Sequence, residues 1–399
     1  MLFASGGALG GGKYPVPRIG HDGGSIRMVE AISEIWEEAP RGVAGDLRVL
    51  ALDGLTRMRA AVAGRMAAPP INRLTGLMPI EAHPGAATFR VPATPWLATP
   101  AGFFGAGSMA LAADAALASA IMTTQAAGWM LTTSDLSFNF LRPVCVRSGA
   151  IVARARITHA GRSLGLAEAL VEDAHGRVLG HATTRCFLLD TGVRDEGAGA
   201  TDAQPLATGE EELGADPYLR PVRGAAVPDA VWAERSGLEV IQGILSGELP
   251  APPVSRLFGL RFVSAEVGRM QTEFPGTGWL AGPGGAAYGG ALAHHVDLTL
   301  SLAVQTTLPP ATVYSPLDLK VDFLRPIVPD GSTVHIDARV LHAGRSLAVA
   351  SAEAFTAEGK RAVVAMGSTL IVRGRTWSLD KPLVPEDDAA TGFAEDRDG

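Results

Sequence analysis

Apolar and polar positions change period several times along the chain, and each change predicts an element. Over residues 53–66 the apolar positions recur at helical spacing behind Asp53, a residue type that caps helices, and the Pro69-Pro70 pair stops the run. Residues 236–249, ahead of Pro252-Pro253, have the same layout. Alternating β-prone residues predict strands at 88–91 and 271–274. A turn rich in Gly and Pro follows each, ending at Gly107 or Gly290. Behind these turns, the Ala- and Leu-rich stretches 108–122 and 291–304 read as buried helices. Strand-like runs and turn signals then alternate over 134–140, 150–158, 163–172 and 178–189, and again over the matching positions farther along.

The matching is a repeat. Asp114 and Asp297, Trp96 and Trp279, and His159 and His342 are all separated by 183 positions, as are the Phe-Leu-Arg-Pro blocks that begin at Phe140 and Phe323. The register runs from Gly54/Gly237 through a six-residue identity, His159 to Leu164 with His342 to Leu347. Roughly a third of the aligned positions are identical, with no net insertion. Two long units do not make a solenoid, so they predict paired domains that bury a face against each other, an internal pseudo-dimer. One buried helix with an antiparallel set of strands per unit is an α+β architecture. The expected boundaries are a leader at 1–44, one domain at 45–190, an acidic Gly/Pro-rich linker at 191–227, a second domain at 228–373 and an acidic tail at 374–399. Linker and tail read as solvated connectors, and the leader as a glycine-rich stretch without periodicity. Met1 and Met28 are both candidate starts.

Composition narrows the function. Of 399 residues, 34 are Lys or Arg and 41 are Asp or Glu, with no basic run, which argues against nucleic acid or an acidic membrane as the main partner and favours a small molecule. The two cysteines, Cys145 and Cys186, cannot form a disulfide framework, and no secretory signal or membrane-spanning run is evident, so a reducing, cytoplasmic location is expected. Association of pseudo-dimers through strand edges is also expected.

Asp114 and Asp297 stand near the middle of helices that are otherwise almost wholly apolar. A buried carboxylate is costly unless paired or hydrogen-bonded, which makes both candidates for chemistry. Gly107 and Asp114 share a helix face but lie about 10 Å apart along it, too far to act on one carbon. Two antiparallel helices would instead bring the glycine-marked N-terminus of one against the aspartate of the other, with amide N–H groups for an oxyanion and a carboxylate to attack or to activate water. That arrangement suits acyl transfer. His294 and His295 read as packing residues rather than metal ligands, and no metal or cofactor is called for. Gly161-Arg162-Ser163-Leu164-Gly165 matches a nucleophile-elbow string but sits between strands, so it reads as a hairpin turn.

The run Tyr288-Gly289-Gly290 to Asp297, then Asp318-Leu319, Phe323-Leu324-Arg325-Pro326 and His342-Ala343-Gly344-Arg345, resembles hotdog-fold acyl-CoA thioesterases of the phenylacetic-acid-degradation type; the first copy repeats the pattern. The fused layout is also similar to tandem thioesterases of the TesB type. The resemblance implies two fused hotdog domains, each a long central helix wrapped by an antiparallel sheet, with thioester sites at their interface. It implies an acyl-CoA or acyl-carrier thioester as substrate, with CoA entering only as part of that substrate. It sets Asp114 and Thr133 opposite Gly289 and Gly290, and Asp297 opposite Ala106 and Gly107, with Pro316 in place of the hydroxyl and Ser315 beside it. The second site is therefore expected to be the weaker. The family's usual histidine is replaced by Gly105 and Tyr288, and its upstream side-chain amide is absent. Arg142, Arg162, Arg325 and Arg345 are candidates for CoA phosphate. The alternatives are a silent acyl-CoA-binding or regulatory protein and a hydratase of the same fold, although the Asp-x4-His pair expected of the latter is missing after both aspartates.

Overall fold

The computed structural model describes residues 33–193 and 214–375. The first unit contributes α1 (Gly54–Val62), α2 (Pro70–Thr75), β1 (Met78–His83), β2 (Ala86–Pro92), α3 (Met109–Met122), β3 (Trp129–Phe140), β4 (Ala150–Ala160), β5 (Leu164–Asp173) and β6 (Val178–Asp190). After α4 (Asp229–Glu234), the same series returns as α5 (Gly237–Ser246), α6 (Pro253–Phe258), β7 (Arg261–Glu266), β8 (Arg269–Pro275), α7 (Gly289–Gln305), β9 (Thr312–Phe323), β10 (Thr333–Ala343), β11 (Leu347–Phe355) and β12 (Arg361–Arg373).

All twelve strands form one sheet, in the order β1-β2-β4-β5-β6-β3-β9-β12-β11-β10-β8-β7, so the second half mirrors the first about the β3–β9 pair. The junction register places Ser137 opposite Lys320, its own counterpart in the repeat, with Asp135 opposite Asp322 and Asn139 opposite Asp318 on either side. The pseudo-two-fold axis therefore passes through Ser137 and Lys320. Two aspartates facing each other across a strand pair repel. Lys320 lies between them, with Nζ 3.3 Å from Asp322 and 3.9 Å from Asp135, while Arg185 holds the Asp135 carboxylate at 2.7 Å.

Inside this sheet lie α3 and α7, which pack on each other and on the strands of their own units. Their burial follows from composition: Ala, Leu, Val and Met on nearly every face leave no polar side to present to water. The α1 and α5 helices approach the ends of these core helices through glycine. A Cβ added at Gly54 would lie 1.7 Å from the Met122 carbonyl oxygen, and one at Gly237 would lie 1.9 Å from that of Gln305. Gly237→Ala is accordingly expected to cost about 2–3 kcal/mol through forced backbone movement, measured by urea unfolding.

Several elements depart from the expectations of the sequence. The proline pairs do not end α1 and α5, which stop earlier, at Val62 and at Ser246 before the left-handed Gly247; their second proline instead starts α2 and α6, where the missing N–H is not needed. The edge strands β1 and β7 were not predicted, because Pro79 interrupts one and alternation is poor in the other. The described end of the linker is packed rather than solvated, and it packs with the described end of the leader. Ile35 and Val227 are buried, Glu38 pairs with Arg220 at 2.7 Å, and Arg41 pairs with Asp216 at 2.8 Å. The rest of the leader, the first part of the linker and nearly all of the tail lie outside the described residues.

Candidate functional site

The two aspartates meet the opposite helix. The Gly290 amide donates to Asp114 Oδ2 at 2.8 Å, and the Gly107 amide donates to Asp297 Oδ2 at 2.7 Å. Two such reciprocal contacts require α3 and α7 to run antiparallel, each N-terminus lying against the middle of the other. Both carboxylates are buried, so each lies at the positive end of a helix dipole in a low-dielectric setting.

Glycine is required here for space. A Cβ at Gly289 would sit 2.8 Å from Asp114 Oδ2, and one at Gly290 would sit 2.4 Å from the Ala110 carbonyl oxygen. On the other side, a Cβ at Gly107 would sit 2.7 Å from that of Asp297. The Gly290 amide is committed to the carboxylate. The Gly289 amide, at the first residue of α7, has no intrahelical partner and no backbone or side-chain acceptor among the described residues.

The sites differ in their hydroxyl. Thr133 donates to Asp114 Oδ1 at 2.9 Å, and the register shift between Thr133 and Asp135, which leaves Ser134 as a bulge, sets where the Thr133 side chain falls. Pro316 occupies the equivalent place in β9, beside the equivalent bulge, where a missing N–H is tolerated. No side chain donates to Asp297 among the described residues, and Ser315 does not take that part. Burial pushes the Asp114 carboxyl up to about 6, with the Thr133 and Gly290 hydrogen bonds pulling the other way. Burial pushes Asp297 up to about 7, opposed only by the Gly107 amide. The missing hydroxyl explains the order.

They differ again at the residue before the glycine-marked turn. Tyr288 is buried, with its hydroxyl donating to the Leu111 carbonyl at 2.8 Å and its ring against Gly290. Its counterpart is Gly105. A Cβ there would have only ordinary contacts, at 3.6 Å from Asp297 Oδ2 and from His294 Cε1 and 3.8 Å from Thr99. A cavity of about 50 Å³ is lined by Gly105 and Ala106 and by Ser301, Ser315 and Pro316. A larger cavity of about 500 Å³, between α1 and residues 216–218, shares no lining residue with it.

Of the arginine candidates, Arg142 lines the smaller cavity; Arg162, Arg325 and Arg345 do not. Arg162 and Arg345 sit exposed in the turns between β4 and β5 and between β10 and β11. His294 and His295 are enclosed with Phe258 and Phe274, and burial lowers them to about 3 and about 4, so both are neutral. Among the described residues no group of three or more His, Cys, Asp or Glu comes together as a metal site, and no helix is long and apolar enough to cross a membrane. Sequence reasoning did not single out Ser301, which lines the smaller cavity. The available signal was a polarity difference between the copies, because its counterpart is Ala118.

The family model described as "Thioesterase superfamily" matches residues 103–179 and 284–363, one segment in each unit, each spanning a core helix and its aspartate. The chain carries two thioesterase-superfamily segments. With its antiparallel sheet around paired helices, it is a double hotdog protein of α+β class. A Saccharolobus solfataricus protein whose name proposes it as an esterase is 29% identical over 123 residues, covering 31% of this chain and 86% of that one. Among solved structures, the acyl-CoA thioesterase II of Mycobacterium marinum is similar at 17% identity, covering 76% of this chain and 97% of its own, with a TM-score of 0.44. The Escherichia coli PaaI protein is similar at 21% identity, covering 30% of this chain and 85% of its own, with a TM-score of 0.29.

Proposed function

We propose that this thioesterase-superfamily chain hydrolyses acyl-CoA thioesters to a free acid and CoA, without a metal, at composite sites shared by its two hotdog units. The observation that carries the reading is the reciprocal contact of each buried helix carboxylate with the glycine-marked N-terminus of the opposite helix. In the ionised form, Asp114 or Asp297 accepts a proton from water as the water oxygen bonds to the thioester carbonyl carbon. The carbonyl oxygen gathers negative charge, which the helix N-terminus is suited to stabilise, with the Gly289 amide facing the Asp114 site and that of Ala106 facing the Asp297 site. When the carbonyl reforms, the carbon–sulfur bond breaks and the CoA sulfur leaves with the proton that the carboxylate held. Thr133 would hold the Asp114 carboxylate and water in line. Arg142, at the cavity on the Asp297 side, is the best placed of the arginines for a CoA phosphate, and two free cysteines suit a reducing cytoplasm.

Thiol release from a panel of short, medium, long-chain and aromatic acyl-CoAs, followed with a chromogenic disulfide, tests the reading. Release well above the uncatalysed rate is expected for at least one class, undiminished by EDTA. No release from any member, or release abolished by EDTA and restored by a divalent metal, would overturn it.

A further inference from the structure

The two units carry different side chains along one path, the strip between each core helix and the strand that follows it. We infer that the strip beside Asp114 is a groove for the acyl group, and that the group it takes is a hydrocarbon chain laid along α3. The assignment rests on the thioester reading above, whereas the groove rests on geometry alone. Ala115, Ala118 and Met122 recur at helical spacing and share one face of α3, while Trp129, Leu131 and Thr133 share the inner face of β3. The chain turns back between Met122 and Trp129, so these faces lie side by side, and the bond from Thr133 to Asp114 fixes where they meet the carboxylate. All five apolar residues are partly exposed, as is Gly289, whose amide has no acceptor among the described residues.

The same strip beside Asp297 is filled. Leu298 stands for Ala115, Ser301 for Ala118, Gln305 for Met122 and Tyr314 for Leu131, and all four are buried. Tyr314 reaches from β9 across to α7, its hydroxyl donating to Gln305 Oε1 at 3.4 Å. Leu298 adds bulk that Ala115 lacks, and Leu298, Ser301 and Tyr314 border a cavity of only about 50 Å³. Beside Asp114, Leu131 lacks the ring and hydroxyl that make this crossing, and Met122 offers no amide to receive it. Of the residues named on the open strip, only Thr133 is polar, and its hydroxyl is committed to the carboxylate. A polar acyl group would gain no partner there, whereas each methylene laid on the strip leaves water. From Ala115 to Met122 the helix rises about 10 Å, room for more than a short acyl chain.

Calorimetric titration of the full chain carrying Asp114→Asn and Asp297→Asn, which keeps ligand intact, separates binding from turnover. The probes are butyryl-CoA and octanoyl-CoA. One tight equivalent of octanoyl-CoA per chain is expected, bound about tenfold or more above butyryl-CoA, the gain from four further methylenes that are half covered. Leu131→Tyr with Met122→Gln, the pair that the other unit carries, is expected to bring octanoyl-CoA to within about threefold of butyryl-CoA, and Ala115→Leu to do the same should the paired change impair folding. Tyr314→Leu with Leu298→Ala is expected to add a second tight equivalent of octanoyl-CoA. Equal affinity for the two probes, two tight equivalents before that last change, an octanoyl preference that survives in a folded Leu131 or Ala115 variant, or no binding at all would overturn the inference. The expected binding pattern with no thiol release from the unmodified chain would overturn only the hydrolase reading.

Discussion

Asp114→Asn combined with Asp297→Asn is expected to lower kcat for acyl-CoAs by about 100- to 10,000-fold with little change in KM, because it removes the proton acceptor of both composite sites. Asparagine can still accept from the Gly107 amide, so the helix N-terminus keeps its partner. Either variant alone is expected to remove only the turnover of its own composite site. The decisive comparison is steady-state thiol release by the two single variants under one set of conditions. Loss with Asp114 and retention with Asp297 would assign turnover to the side that has Thr133, and the reverse to the side that has Pro316. In the unmodified chain, kcat is also expected to rise with pH through about 7 as Asp297 ionises, a limb that Asp114→Asn leaves in place.

The second large effect concerns stability. Both carboxyls have folded-state pKa values above the 3.8 of an ordinary aspartate, about 6 for Asp114 and about 7 for Asp297. A raised pKa means that the folded chain holds these protons more tightly than the unfolded chain. Their contribution is therefore fully present below about pH 3.8 and is lost as pH rises through 6 and 7. At pH 8.5 the fold carries two buried anions that the unfolded chain would solvate. Replacing both by asparagine is expected to stabilise the protein at pH 8.5 by on the order of a few kcal/mol, a rise of several degrees in Tm. At pH 5 roughly half of the benefit is expected to remain, and it disappears only as pH falls toward 3.8, where the unfolded aspartates also take up protons. Thermal unfolding of the parent and the double variant across that range checks the sign; an equal Tm difference at both pH values would show that the carboxylates are already ionised in the folded chain at pH 5 and that burial does not raise them. A gain in stability together with a loss of turnover is what a functional rather than a structural role for these residues predicts.

The sequence by itself determined a good deal. The 183-residue offset carries the mirrored sheet, because two copies of one pattern fold into two copies of one unit. Apolar composition on all sides of α3 and α7 dictated that they be buried. A charged residue in such a helix marked Asp114 and Asp297, and seven-residue spacing implied that each must find its glycine on the other helix. Thr133 was legible through the family resemblance, and its bond to Asp114 follows from a bulge that no local pattern announces.

Other matters were decided only by the tertiary structure. The edge strands β1 and β7 have weak patterns of their own and exist because β2 and β8 offer them a partner. The Gly290 amide, read from sequence as an oxyanion donor, is taken up by the carboxylate, which leaves Gly289 at the helix start. The greatest difference lies between the sites. Linear comparison favours Asp114, because it alone has a hydroxyl partner, and treats Gly105 and Tyr288 as two ways of lacking a histidine. In three dimensions one of these is a ring anchored to the Leu111 carbonyl and packed on Gly290, and the other is a glycine on the wall of a small cavity. A sequence gives the identity of a side chain; the volume that it fills or leaves empty depends on neighbours from α3, α7 and β9, and only the folded chain sets them side by side.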